Sequence, residues 1–124
     1  MNIYIKYLLI FIIFIIVDSI YLRLIYPLFN KMIKNIQGTS LKLNYYSAFM
    51  CYLILVFSFI YFVINKNFDN YDTFLFGFVI YGVYETTSHA TLKDWDNKLL
   101  IIDSIWGGII FLINKIIINN IIKI

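Results

Sequence analysis

Residues 52–63 read YLILVFSFIYFV, a run whose only polar groups are Ser58 and the tyrosine hydroxyls. A helix through them has no polar side, so it cannot be the surface helix of a soluble bundle, which needs one solvent-facing stripe. Widened to residues 45–64, the run reaches the roughly 20 apolar residues that an α-helix needs to cross hydrocarbon. Three further windows are comparable: 3–22, 73–89 and 99–118. With 62% hydrophobic and 14% charged residues in 124, the composition excludes an ordinary soluble domain. The reading is an all-α polytopic membrane protein with four transmembrane helices in an antiparallel bundle, forming a single domain over 1–124. No length remains for a soluble catalytic domain, so any chemistry must be built from helix side chains and short connections.

The first window is a span and not a cleaved signal. Its apolar run is too long, Asp18 interrupts its end, and Arg23, Leu24 and Ile25 stand where small residues would be required. The lone Cys51 lies in the second window, where no intramolecular disulfide is available, and reads as a small packing residue. A net charge of +3 from scattered lysines gives no case for nucleic acid. Abundant Ile, Asn, Lys, Phe and Tyr reflect an A+T-rich coding bias. The protein is placed in a membrane as a multi-pass chain; which membrane is left open, and a large DNA virus as source would make it a host or viral one.

Four spans put the first and third connections on one face. The first carries Arg23, Lys31, Lys34 and Lys42 and the third Lys93 and Lys98, against Lys6, Lys66, Lys115 and Lys123 opposite. The positive-inside rule then slightly favours termini outside. After Pro27, which suits a first helical turn, Leu28, Phe29, Met32, Ile33 and Ile36 recur at helical spacing while Asn30, Lys31, Lys34 and Asn35 fall elsewhere. That pattern predicts a short interfacial helix, lysines toward lipid phosphates or apolar side packed over the mouth of the bundle, ended by Gly38. The connection 65–72 is short and polar, so the second and third spans form a hairpin. Lys115 is expected to snorkel where the last span meets the interface, and Trp95 to anchor there.

Three acids interrupt the apolar windows: Asp18, Glu85 and Asp103. A carboxylate in a span costs roughly 2.5–3.5 kcal/mol on insertion scales, so it is retained where it is paired, hydrated or used. Asp18 precedes Arg23 by five residues and Asp103 follows Lys98 by five, which places each roughly 7–8 Å inside its flanking charge. Glu85 precedes Lys93 by eight, roughly 12 Å, on a helix heading for the same face. Antiparallel connectivity therefore gathers the three at one end. Tyr81, Glu85, Ser88, His89 and Leu92 share one helix face by spacing, as do Asp103, Trp106 and Gly107. Close carboxylates repel when ionised; a shared proton, a bound cation, or Arg23, Lys93 or Lys98 folding inward would relieve them. One histidine among carboxylates is a weak metal signal, Ser88 and His89 point about 100° apart, and neither a phosphate loop nor a zinc-type cysteine pair is present, so no metal and no cofactor is expected.

Residues 84–95, YETTSHATLKDW, resemble the Y-D-L-T-N-L-A-T-L-K-G-W signature of a family of small four-span membrane proteins, domain of unknown function 2177. Asp18-Ser19-Ile20-Tyr21-Leu22 is similar to its D-x-x-W-L, and Asp103-Ser104-Ile105-Trp106-Gly107 to its D-x-x-W-G, in the family's order. Glu85 stands where the family has Asp, Ser88 where it has Asn, Tyr21 where it has Trp and His89 where it has Leu. The resemblance implies the four-span fold, ranks Asp18, Glu85, Thr87, Asp103 and Trp106 first and demotes His89; it implies no activity. The candidate site is then a polar cluster of Asp18, Tyr21, Tyr84, Glu85, Thr87, Ser88, Asp103 and Trp106. Binding or transport of a cation, proton or small amine ranks first, with the lipid bilayer as partner and a homo-oligomer needed if four spans are too few for a path. Two alternatives stay open. One is an enzyme acting on a lipid or isoprenoid ligand through Glu85 or Asp103 as acid or base; the other is a structural or assembly subunit whose cluster fixes helix register.

Overall fold

Each helix starts where a short amide or carboxylate side chain meets backbone donors that have no intrahelical partner. Asn2 Oδ1 accepts from the Tyr4 amide at 2.8 Å, Asn44 Oδ1 from Ser47 at 3.1 Å, Asp69 Oδ1 from Asp72 at 2.8 Å and Asp96 Oδ1 from Lys98 at 2.7 Å. In the computed structural model, which describes residues 2–122, these caps open α1 (Ile3–Gln37), α2 (Tyr45–Ser58), α3 (Asn70–Thr91) and α4 (Asn97–Ile122). A π-helical segment, Phe59–Asn65, prolongs α2. Three of the helical stretches, Ile3–Gln37, Tyr45–Asn65 and Asn97–Ile122, are long and apolar enough to cross a membrane. The 22 residues of α3 are more polar but extend about 33 Å. Lys123, counted above with the basic residues of one face, lies outside the described residues.

α1 corrects one expectation. The new helix predicted to begin at Pro27 is helical, but it continues α1 without a break, with Pro27 inside the helix. Proline removes a single backbone donor there, and carbonyls near the membrane surface can be satisfied by water. At 35 residues α1 is about 52 Å long. It therefore outruns the roughly 30 Å hydrocarbon core unless strongly tilted. Gly38 ends it as expected, in the left-handed region at φ 81° with its amide bonded to Lys34 O at 2.9 Å. The extension packs over the mouth of the bundle: Met32, with Ile25, Leu28, Phe29, Ile33 and Ile36, covers Trp95 and Leu99. Lys31, Lys34 and Asn35 stay exposed.

α3 and α4 form the most extensive pair, and their register is antiparallel, with Asn70 opposite Lys115, Phe76 opposite Phe111 and His89 opposite Asn97. Their closest approach is glycine on glycine. A Cβ added at Gly77 would run into the Gly107 carbonyl, and one at Gly107 into Tyr81 and the Gly77 carbonyl. Beside this contact, Phe111 meets the edges of Phe14, Phe59 and Phe76, each at a centroid distance of 5.7 Å. Phe14, Phe59 and Phe111 are fully buried and tie α1, α2 and α4 together. α1 runs antiparallel to α4, with Phe14 at Phe111 and Tyr21 at Asp103. Cys51 is exposed and does not pack in the core: the buried face of α2 is Leu55, Val56, Phe59 and Val63, and at 100° per residue Tyr52 sits at its centre and Cys51 well off it.

Candidate functional site

The stripe Thr73, Gly77, Tyr81, Glu85 recurs every fourth residue along α3 and faces α4, which carries Glu85 to the end of the bundle where Asp103 and Asp18 arrive. Asp18 is 5% exposed and fully partnered. Tyr52 O–H donates to its Oδ2 and Trp106 Nε1–H donates to its Oδ1 at 3.0 Å. Asp103, half-buried, accepts from Tyr21 O–H at 2.9 Å. The Tyr21 ring lies flat on Trp106, centroids 4.4 Å apart and planes 7° from parallel, so one stacked pair spaces the two aspartates.

Glu85 is 1% exposed. Trp95 Nε1–H donates to its Oε1 at 2.9 Å. Its Oε2 accepts from no donor among the described residues, and the Glu85 carboxyl group has that of Asp103 as its neighbour. The result is a continuous polar string across the end of the bundle: Tyr52, Asp18, Trp106, then Tyr21, Asp103, Glu85 and Trp95. Every donor in it is a neutral phenol or indole. Arg23, Lys93 and Lys98 are exposed and do not fold inward, so the relief expected from a basic residue is not what this cluster uses. Hydrogen bonds to an ionised group are worth about 1.5–3 kcal/mol. Asp18 has that support on both oxygens, and Glu85 on one.

The family described as predicted membrane protein (DUF2177) matches residues 3–117. The chain belongs to DUF2177. With several helices long and apolar enough to cross a bilayer, this DUF2177 member is an integral, multi-pass membrane protein. No curated protein and no solved structure matches it.

Of the residues singled out from the DUF2177 sequence, the fold brings Asp18, Tyr21, Glu85, Asp103 and Trp106 together. Tyr84 reaches the cluster indirectly, edge-on to Trp95 at 6.1 Å with its own ring half exposed. Ser88 is half-buried, and Thr87 is exposed on α3, away from the carboxylates. His89 is exposed too; its Nε2–H donates to Asn97 Oδ1 at 2.7 Å and ties the end of α3 to the start of α4. No three His, Cys, Asp or Glu side chains converge as metal ligands among the described residues.

Two members of the string escaped sequence reasoning. Trp95 is no interfacial anchor: it is 6% exposed, with the Phe29 ring edge-on at 6.1 Å and the Asp96 amide beside it bonded to Met32 Sδ at 3.3 Å. An indole following a span carries the same signal in both roles, and only the folding of the α1 extension over it decides between them. Tyr52 could have been found from its place at the centre of the buried face of α2, although ten other tyrosines dilute that signal.

Proposed function

We propose that this DUF2177 protein binds a proton or a small monovalent cation, inorganic or ammonium, at the Glu85–Asp103 pair and moves it across the membrane. The observation that carries the reading is Glu85 Oε2, a buried oxygen without a donor among the described residues on a carboxyl group that neighbours a second one. Two carboxylates so placed repel when both are ionised, and a shared proton or a cation between them removes the repulsion. What the site lacks is therefore positive charge. The neutral donors around it fix the acids in place without neutralising them. The reading takes α3 as a fourth span, supported by its length and by its seam with α4. It also takes the three acids as lying within the membrane near one face, and a second copy of the chain as completing the path if four helices enclose none.

The test is flux in liposomes reconstituted with purified protein, under an imposed gradient of protons, rubidium or methylammonium in turn. Wild type is expected to exceed empty vesicles for at least one of these, and Glu85→Gln to fall to the empty-vesicle rate. Equal rates for wild type and empty vesicles with all three would end the proposal. An enzyme acting on a lipid draws less support. An apolar groove of about 510 Å³ between Phe78, Val83 and Thr86 on α3 and Leu100, Ile101 and Ile105 on α4 is lined by neither Glu85 nor Asp103.

A further inference from the structure

Among the described residues two buried side-chain polar atoms have no hydrogen-bond partner, and both are oxygens on the α3–α4 seam. One is Glu85 Oε2. The other is Oδ1 of Asn114, a residue 0% exposed whose Nδ2–H donates to its own helix at Ile110 O, 2.8 Å away. An unmet buried acceptor is destabilising unless something donates to it. Both unmet groups ask for the same chemistry, a donor or a cation.

Their placement connects them. Asp103 and Asn114 are eleven residues apart on α4, so at 100° per residue they share a face, and they are separated by roughly 16 Å along the axis. By the α3–α4 register, with Asn70 opposite Lys115 and Phe76 opposite Phe111, Thr73 stands level with Asn114. Thr73 is 0% exposed, and its hydroxyl proton is committed to Asp69 O at 2.7 Å, which leaves only its lone pairs. The far end of the seam thus brings two buried oxygens to one level, one of them, Asn114 Oδ1, without a donor among the described residues. Between the two ends the seam is shut by the Gly77–Gly107 contact, with the Tyr81 and Phe111 rings packed against the two glycines.

We infer that the α3–α4 seam is the route of the cation, with Asn114 and Thr73 as a second station that a proton carried by water, or a small cation, occupies on its way to or from Glu85–Asp103. This rests on the proposed function and adds to it the path and a second set of ligands. The seam is closed in this structure, and passage requires α3 and α4 to part at the glycines. The spacing of the stations suits a core of roughly 30 Å, one station in each leaflet.

The experiment compares wild type, Asn114→Leu, Asn114→Asp and Glu85→Gln in liposomes, with protons, rubidium and methylammonium each as its own gradient, beside the thermal shift that rubidium or methylammonium produces in detergent. Asn114→Leu is expected to melt at or above wild type, because it removes an unmet acceptor, and to keep the Glu85-dependent thermal shift. Its flux is expected to fall at least tenfold. Asn114→Asp, the same size with its acceptors kept, should recover flux to within a few-fold of wild type. Wild-type flux in Asn114→Leu would overturn the second station and leave the Glu85 site standing. Should the leucine variant not fold, the aspartate variant decides: flux kept supports the station, flux lost overturns it. Absence of flux and of thermal shift in wild type removes both readings, and is told apart from failure of the station alone by the Glu85→Gln comparison.

Discussion

Asp18 and Glu85 are both acids on apolar helices, both more than nine-tenths buried, and they differ in what surrounds them. Asp18 sits where α1, α2 and α4 meet and has one donor on each oxygen, a phenol and an indole. Glu85 sits between α3, α4 and the loop joining them and has a donor on one oxygen only, with the Asp103 carboxyl group as its neighbour. A buried acid whose hydrogen bonds are complete acts as a joint between helices. One left incomplete has capacity for something that comes and goes.

The largest effect on stability should come from breaking the joint. Asp18→Leu orphans the Tyr52 hydroxyl and the Trp106 indole N–H in the bundle interior, at about 1–3 kcal/mol each. The expected loss is about 2–6 kcal/mol, read as the unfolding midpoint of purified protein in a detergent or denaturant titration. A variant as stable as wild type would show that Asp18 is no joint, and the contrast with Glu85 would fall with it.

Trp95→Phe keeps most of the ring packing against Phe29 and removes the N–H that Glu85 Oε1 accepts. Both oxygens of Glu85 are then without a donor, so a loss of about 1.5–3 kcal/mol is expected. The informative part is conditional. If Glu85 holds a proton or a cation, added ligand should recover part of that loss by mass action, about 2.7 kcal/mol at a hundred times the dissociation constant. The same addition should recover nothing in the Asp18 variant beyond its effect on wild type.

How far the contrast could be read in the sequence follows from what each part depends on. The helices were legible because unbroken apolar windows have few physical solutions, and the acids at one end because helix rise and antiparallel connectivity bring them level. Trp106 was legible from its helical spacing to Asp103, and the family resemblance ranked it among the first. Which acid was complete was not legible, since that depends on Tyr52, one of eleven tyrosines, and on Trp95, whose burial needs the α1 extension to fold back across the connection 92–96. The extension was hidden in turn because a proline opening a helix and one inside a membrane helix leave the same mark. Asn114 carries a signal of its own in the sequence: its spacing of three from Phe111 and four from Ile118 puts it on the inward face of α4.

Gly107→Ala acts on the seam and leaves the Asp18 network alone. The new methyl would meet Tyr81 and the Gly77 backbone, so α3 must shift, at about 1–3 kcal/mol for an overpacked contact. That shift should part Glu85 from Asp103. The prediction is a ligand-induced thermal shift lost in Gly107→Ala but kept in Gly82→Ala, where an added Cβ meets nothing closer than Ser104 Oγ at 3.8 Å. Equal ligand shifts in both variants would mean that the register of the α3–α4 seam does not matter to the site.

The smallest effect on stability belongs to Glu85→Gln. An amide replaces the carboxylate at nearly the same volume, its carbonyl oxygen can still accept from Trp95, and its N–H₂ turns toward Asp103, which becomes an acceptor for it. The change supplies internally the donor that the pair lacked, so stability should stay within about 1 kcal/mol of wild type or rise. Ligand response should vanish in the same protein. Because a proton and a metal or ammonium cation compete for one pair of oxygens, the wild-type thermal shift from rubidium or methylammonium should grow as pH is raised, and in Glu85→Gln it should be flat. A glutamine variant that loses several kcal/mol would place Glu85 in the same class as Asp18, a second joint. A stable variant with an unchanged ligand shift would move the site to Asp103 and its Tyr21 partner.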